Sequence, residues 1–235
     1  MDLPFKSKTI YRGYSNFSNS KILVLESRKR RSLATSYINY SLWSSDPDDD
    51  FLDRYWGKMI NKLKVKSEKL KVKKVLILGL AGGTLAYLIN KYFHPKQIDG
   101  VEIDPEIIKV GRNFFYLNSL DNLNIIQADA VSWLDEQLEQ NKKNIYDIVI
   151  MDLFQIEKTP PECDTFEFFE KATTLLKKDG VLTLNKIYKR AEWKDGVNVF
   201  LENKIKLLYN EFEVERQKRP LQLDNALFLA GKKRI

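Results

Sequence analysis

A short apolar run that ends in glycines, Val75-Leu-Ile-Leu-Gly-Leu-Ala-Gly-Gly-Thr84, constrains this chain more than any other stretch. A helical pattern follows it, and a second apolar run, Val101-Glu-Ile-Asp104, then ends at an acid. Strand, tight turn, helix and strand in that order build a nucleotide site at the edge of a parallel sheet. Glycine at the turn lets backbone approach a ligand where a Cβ would collide. An acid roughly 20 residues further on can accept hydrogen bonds from both ribose hydroxyls.

The rest of the chain extends that alternation. Strands are expected at Val75–Gly79, Ile98–Glu102, Asn124–Gln127, Tyr146–Asp152 and Val181–Asn185. Helices are expected at 83–93, 105–117, 131–140, 165–177 and 194–212, with Pro105 in a first turn. Glu213–Gln217 and Ala226–Ala230 read as a closing antiparallel pair. The expected fold is α/β, a Rossmann-like doubly wound seven-stranded sheet. Residues 1–57 differ: they are rich in Ser, Tyr and Asn, with strands at Lys21–Glu26 and Leu33–Leu42 and an acidic loop at 44–50. They are expected to form a small β-hairpin extension ahead of a ligand-binding domain at 58–235, which a helix from Phe51 to Leu63 leads into.

Composition narrows the chemistry. One cysteine, Cys163, and one histidine, His94, exclude a disulfide framework and a His/Cys metal cluster, and no metal is expected. No apolar run approaches the ~18 residues of a membrane span, so a cytoplasmic protein without membrane contact is expected. The net charge is +7, concentrated in Arg28-Lys-Arg-Arg31 and in lysines 62, 64, 66, 69, 71, 73 and 74. Alternation of those lysines with Leu63, Val65, Leu70 and Val72, without aromatic residues, reads as a half-exposed connector rather than a nucleic-acid footprint.

Strand ends in such a sheet line one crevice. They supply Gly79, Ala81, Gly82 and Gly83, then Glu102 and Ile103, then Asp129 and Ala130, then Asp152. Glu102 is the ribose candidate, Asp129 an acceptor for an exocyclic amine, and Asp152 the group at the reacting end. Asp104 reads as a helix cap. The spacing of the glycines is not G-x-G-x-x-G, so the dinucleotide fingerprint is not met.

These residues resemble the spermidine synthase (polyamine aminopropyltransferase) family within the S-adenosylmethionine-dependent methyltransferase fold. Gly79–Gly83, Val101–Asp104, Asp129-Ala130 and Asp152-Leu-Phe154 carry the resemblance, with Phe51-Leu-Asp-Arg-Tyr55 as its substrate-facing tyrosine segment. The resemblance implies S-adenosylmethionine or its decarboxylated form as co-substrate, a small and possibly amine-bearing acceptor, and a homodimer. Tyr55, Gln155 and Glu157 would face the acceptor. Four departures stand out. Gly82 replaces the aspartate that grips an aminopropyl ammonium, and Gln155 replaces a second aspartate. Trp56 replaces the usual histidine, and Tyr40 a glutamine. Losing two carboxylates argues for methyl or other alkyl transfer over aminopropyl transfer to putrescine. Six acids and one base between 152 and 170 keep a cationic acceptor, and hence an aminopropyltransferase, in play. A nucleic-acid methyltransferase and a non-catalytic nucleoside-binding module are the remaining readings.

Overall fold

In the computed structural model, residues 7–35, 38–68, 70–155, 158–219 and 223–234 are described. Two sheets organise them. β1 (Lys8–Ser15), β2 (Ser20–Ser27), β3 (Arg30–Thr35) and β4 (Ile38–Ser44) form an antiparallel meander. The stretch 33–42, expected as one strand, is therefore the end of β3 and the start of β4. Leu33 and Ala34 pair with Ser41 and Asn39, which folds the apolar alternation back on itself. Arg30 and Arg31, part of the first basic tract, are bonded to Asp49, Asp53 and Glu26, and Lys29 to Asp46.

The second sheet has the order β10-β11-β9-β8-β5-β6-β7. β5 (Lys74–Leu78), β6 (Gln97–Glu102), β7 (Leu123–Gln127) and β8 (Tyr146–Met151) are parallel, as is β9 (Leu176–Lys189) to β8. Every residue of β8 is buried, as a strand covered on both faces requires. β10 (Tyr209–Lys218) and β11 (Leu223–Lys233) close the sheet antiparallel. The chain runs outward from β5 to β6 and β7, then returns to β8 beside β5, so the switch point lies between β5 and β8.

Helices cover both faces. α1 (Tyr55–Lys66) and α2 (Thr84–Phe93) share one apolar core with Val75, Ile77, Ile148 and Ile150. α3 (Pro105–Phe114) packs under the N-terminal sheet with Ile22, Val24 and Leu33. α4 (Ala130–Glu139) and α5 (Phe166–Leu175) share the opposite core with Leu76, Leu78, Val149 and Leu182. The long helix expected to reach residue 212 is α6 (Trp193–Phe200), a π-helical turn (Leu201–Ile205) and α7 (Lys206–Leu208). It stops there because Tyr209 pairs with Lys233 and its buried hydroxyl shares a hydrogen bond with the Thr173 hydroxyl. The turn expected at 178–180 is a bulge inside β9. Leu176 and Val181 face Tyr146 and Ile148, so four residues oppose Asp147.

Candidate active site

The carboxyl ends of β5, β6, β7, β8 and β9 open onto one cavity. Tyr55, Gly79, Ala81, Glu102, Ile103, Asp129, Ala130, Asp152 and Gln155 all line it. Phe17, Ser18, Thr35, Asn39 and Tyr40 of the N-terminal sheet form another wall. Gly82 and Gly83 are not in the lining, and Glu157 lies outside the described residues.

Local backbone geometry builds the floor. Gly79 has φ of +89°, and a Cβ there would stand 2.4 Å from the Asp152 carbonyl oxygen. Only glycine permits both the left-handed turn and that approach. Ala81 also has positive φ, +48°, a region that costs an L-residue roughly 1–2 kcal/mol. Its N–H donates to Glu102 Oε2 at 2.8 Å, which holds the turn. Glu102 Oε1 accepts from the Asp104 N–H at 3.1 Å. Burial raises the Glu102 carboxyl above its ordinary range, and the N–H groups of Asp104 and Ala81 act in the opposite direction.

Gly82 and Gly83 serve packing. The Gly82 N–H donates to Ser41 Oγ at 2.7 Å, and a Cβ on Gly82 would come within 2.9 Å of Ser41 Cβ. Gly83 lies under Leu117. Thr84 continues this seam, since its hydroxyl donates to the Leu42 carbonyl at 2.9 Å and accepts from the Leu42 N–H at 2.8 Å. Such bonds contribute about 0.5–1.5 kcal/mol each, and here they clamp β4 to the start of α2.

Asp129 caps α4, its Oδ1 accepting from Val131 N–H and Ser132 N–H, both at 3.0 Å. Asp104 caps α3 through Glu106 N–H at 2.9 Å, and its other oxygen accepts from Ser15. The side chain of Ser15 thereby ties the extension to the β6 end of the cavity.

At the β8 end the Tyr55 hydroxyl donates to Asp152 Oδ2 at 2.6 Å, and Asn185 Nδ2 donates to Oδ1 at 3.2 Å. Burial pushes the Asp152 carboxyl up to about 6, against the pull of the Tyr55, Asn185 and Trp56 donors. Burial, with Asp152 beside it, holds the Tyr55 phenol well above its usual range. Trp56 is buried and stacks on Tyr55 with ring centroids 4.4 Å apart. Asn185 is fixed from behind, its Oδ1 accepting from Asn225 Nδ2 at 2.6 Å.

Electrostatically the cavity is one-sided. Glu102, Asp104, Asp129, Asp152 and Glu162 line it, and no lysine or arginine does among the described residues. The acidic stretch after β8 contributes less than its composition implies. Asp164 is bonded to Lys186 at 2.8 Å and Lys204 at 3.1 Å, and Glu167 to Lys171. Glu162 is the acid of that stretch, besides Asp152, that reaches the cavity wall among the described residues.

Asn185 and Ser41 were not legible as site residues. Their partners lie 33 and 41 residues away in sequence, and no local pattern marks them.

Residues 55–219 match the spermine/spermidine synthase domain family. The chain belongs to that family. An eEF1A lysine and N-terminal methyltransferase of Bos taurus is 28% identical over 141 residues, 57% of this chain and 20% of that protein. A polyamine aminopropyltransferase of Vibrio vulnificus is 30% identical over 115 residues, 49% of this chain and 38% of that one. The matched stretch thus spans a fifth to about two-fifths of these relatives' own length. The fold is that of spermidine synthase from Thermotoga maritima (TM-score 0.68, 18% identity, 96% of this chain and 73% of that one). It is also that of human methyltransferase-like protein 13 in complex with SAH (TM-score 0.60, 23% identity, 73% and 80%). No helix among the described residues is long and apolar enough to cross a membrane, and no group of side chains suited to a metal occurs among them.

Proposed function

We propose that this family member is an S-adenosylmethionine-dependent transferase that moves a methyl group to an amine-bearing acceptor. The observation that carries the reading is the cavity's charge, five carboxylates with no lysine or arginine among the described lining. A site so lined favours a cationic co-substrate and a cationic acceptor. S-adenosylmethionine supplies a methyl group bonded to a positively charged sulfur. Glu102, at the end of β6, would hold the ribose. Asp129 and Ala130 would meet the base, and the turn from Gly79 to Ala81 would approach the rest of the ligand.

Asp152 has the acceptor role. Its oxygens accept from Tyr55 and Asn185, with Trp56 a third donor beside them, and a two-oxygen carboxylate with about four acceptor sites keeps capacity for an incoming ammonium. Held up to about 6, it is ionised at neutral pH, yet basic enough to take a proton from an amine. Tyr55 and Asn185 fix its plane, so the acceptor nitrogen is aimed by a preset carboxylate. Gln155, on the cavity wall, would add a neutral contact to the acceptor.

Methyl transfer is favoured over aminopropyl transfer by the seam at Gly82. Ser41 fills the space a side chain at position 82 would need, so a carboxylate cannot extend there without displacing β4. The acceptor is a small molecule or a protein group. By resemblance to the family, the working unit is a homodimer, which sedimentation would test. Calorimetric titration with S-adenosylmethionine and with its decarboxylated form tests the reading. Preference for the carboxylated ligand is expected. Preference for the decarboxylated one would overturn methyl transfer, and binding of neither by folded protein would overturn the transferase reading.

A further inference from the structure

Part of the exposed positive charge forms a row at the end of the sheet opposite the cavity, where the parallel strands begin. Lys74 pairs with Gln97, Val75 with Ile148, Ile148 with Val181 and Val181 with Gly231, so β6, β5, β8, β9 and β11 reach that edge at one level. The loops there present Lys96, Lys71 and Lys73, Lys143, Lys178 and Arg234, in spatial order across the five strands. All six side chains are exposed, and none forms an ion pair among the described residues. Exposed acids in these loops are Glu68, Asp121 and Asp179.

The row is held rigid from beneath. Asp147 Oδ2 accepts from the N–H groups of Lys73 and Lys74, both at 2.9 Å, and Lys177 Nζ donates to Oδ1 at 2.7 Å. The Lys73 carbonyl accepts from the N–H groups of Lys96 and Gln97 at 2.8 and 3.1 Å. Lys233 Nζ donates to Asn144 Oδ1 and the Leu176 carbonyl, both at 2.7 Å. Neighbouring strand-end loops are therefore stitched together, the Lys177 and Lys233 ammonium groups are used up in the stitching, and Lys74 Nζ pairs with Asp99 at 3.3 Å. The six exposed cations remain outward. Five strand ends at about 4.8 Å spacing make a ridge about 19 Å long.

We propose that this ridge binds the phosphodiester backbone of a double-helical nucleic acid. Its length matches about six phosphates along one strand at ~3.4 Å each. A rigid line of point charges suits a regular polyanion. No exposed large apolar or aromatic side chain lies in these loops among the described residues. Base stacking on single strands and wedging into a membrane both need such side chains, and backbone contact does not. The ridge is independent of the cavity, and its occupant leaves the cavity mouth open.

The test is fluorescence anisotropy of the full chain with labelled RNA and DNA duplexes of about 20 base pairs, titrated from about 50 to 200 mM salt. Binding is expected to weaken with a log–log slope of about −4 to −5, for roughly five phosphates neutralised. Lys73→Glu/Lys143→Glu/Lys178→Glu should lose at least about tenfold in affinity and reduce the slope by about 2–3. Arg12→Glu/Lys21→Glu/Lys189→Glu makes the same charge change elsewhere on exposed side chains and should retain most of the affinity. Equal loss in both triple variants would overturn the ridge as the site. So would absence of duplex binding by the unaltered chain at the lowest salt, or ridge-dependent binding to phosphatidylserine vesicles in place of duplexes. Thermal melting of each variant keeps unfolding distinguishable from lost contacts.

Discussion

The Tyr55 hydroxyl sits 2.6 Å from Asp152 Oδ2, joining the first turn of α1 to the end of β8 across 97 residues of sequence. That bond favours the ionised carboxylate, while burial favours the neutral acid and wins, placing Asp152 at about 6. If Asp152 takes the acceptor proton, kcat/KM should rise with pH through about 6, because only the ionised form serves as base. Tyr55→Phe removes a stabilising donor and should move that limb upward. Asp152→Asn should lower kcat by ~100-fold or more and abolish the limb. The same shift makes a stability statement. The folded carboxyl lies above its ordinary 3.8, so between about pH 6 and 4 the folded state binds more protons. Stability contributed by this group should grow as pH falls through that window, and Asp152→Asn should remove the growth. Rate and denaturation profiles against pH check both.

Glu102 accepts from two backbone N–H groups and would also meet the ribose. Glu102→Ala should weaken S-adenosylmethionine binding by at least about tenfold, since charge-assisted bonds contribute about 1.5–3 kcal/mol each. It should also release the Ala81 turn and lower Tm, because two N–H groups lose their acceptor. Unchanged affinity in calorimetry would remove Glu102 from the nucleoside site.

The sheet was legible because its strands carry their own signals. Val75–Leu78, Val101 and Tyr146–Met151 are apolar runs ended by glycine or acid, and Pro105 and Asp129 mark helix starts. Elements that depend on distant partners were not legible. Ile205, Leu208, Tyr209 and Phe212 keep helical spacing, yet pairing with β11 takes Tyr209 onward into strand. In the loop after β5, the three glycines looked equivalent. Gly79 faces the cavity, whereas Gly82 and Gly83 make room for Ser41 and Leu117, side chains from other parts of the chain. Asn185 looked like an ordinary strand residue until Asp152 and Asn225 were brought to either side of it.

The Gly82–Ser41 contact predicts a specific coupling. Gly82→Ala places a Cβ 2.9 Å from Ser41 Cβ and should destabilise by about 1–3 kcal/mol through overpacking. Ser41→Gly removes the obstruction and strands the Gly82 N–H. The double variant should be less destabilised than the sum of the singles by at least about 0.5 kcal/mol. Chemical denaturation of the four proteins gives the cycle, and strict additivity would mean that β4 yields freely at this seam.

Asp224 secures the β10–β11 end of the sheet near Tyr55. Its side chain is fully buried and accepts from Arg190 Nη2 at 3.0 Å, Arg216 Nη2 at 2.6 Å and the Arg219 N–H at 3.2 Å. Burial pushes its carboxyl up, but Arg190, Arg216 and the Arg219 N–H together outweigh that and hold it at about 2. A carboxyl held below its ordinary 3.8 stabilises the fold above that pH, and the contribution is lost as pH falls through about 2. Asp224→Asn should therefore destabilise at neutral pH. Both arginines are about one-third exposed (37% and 34%), so water takes over part of their solvation. The loss should be about 1–3 kcal/mol rather than the ~3–5 of a fully buried broken pair. Denaturation at pH 7 should separate the two proteins by that amount, and the gap should narrow towards pH 2 as the native carboxyl takes up its proton. A gap constant over that range would mean that packing, not ionisation, is what Asp224 contributes.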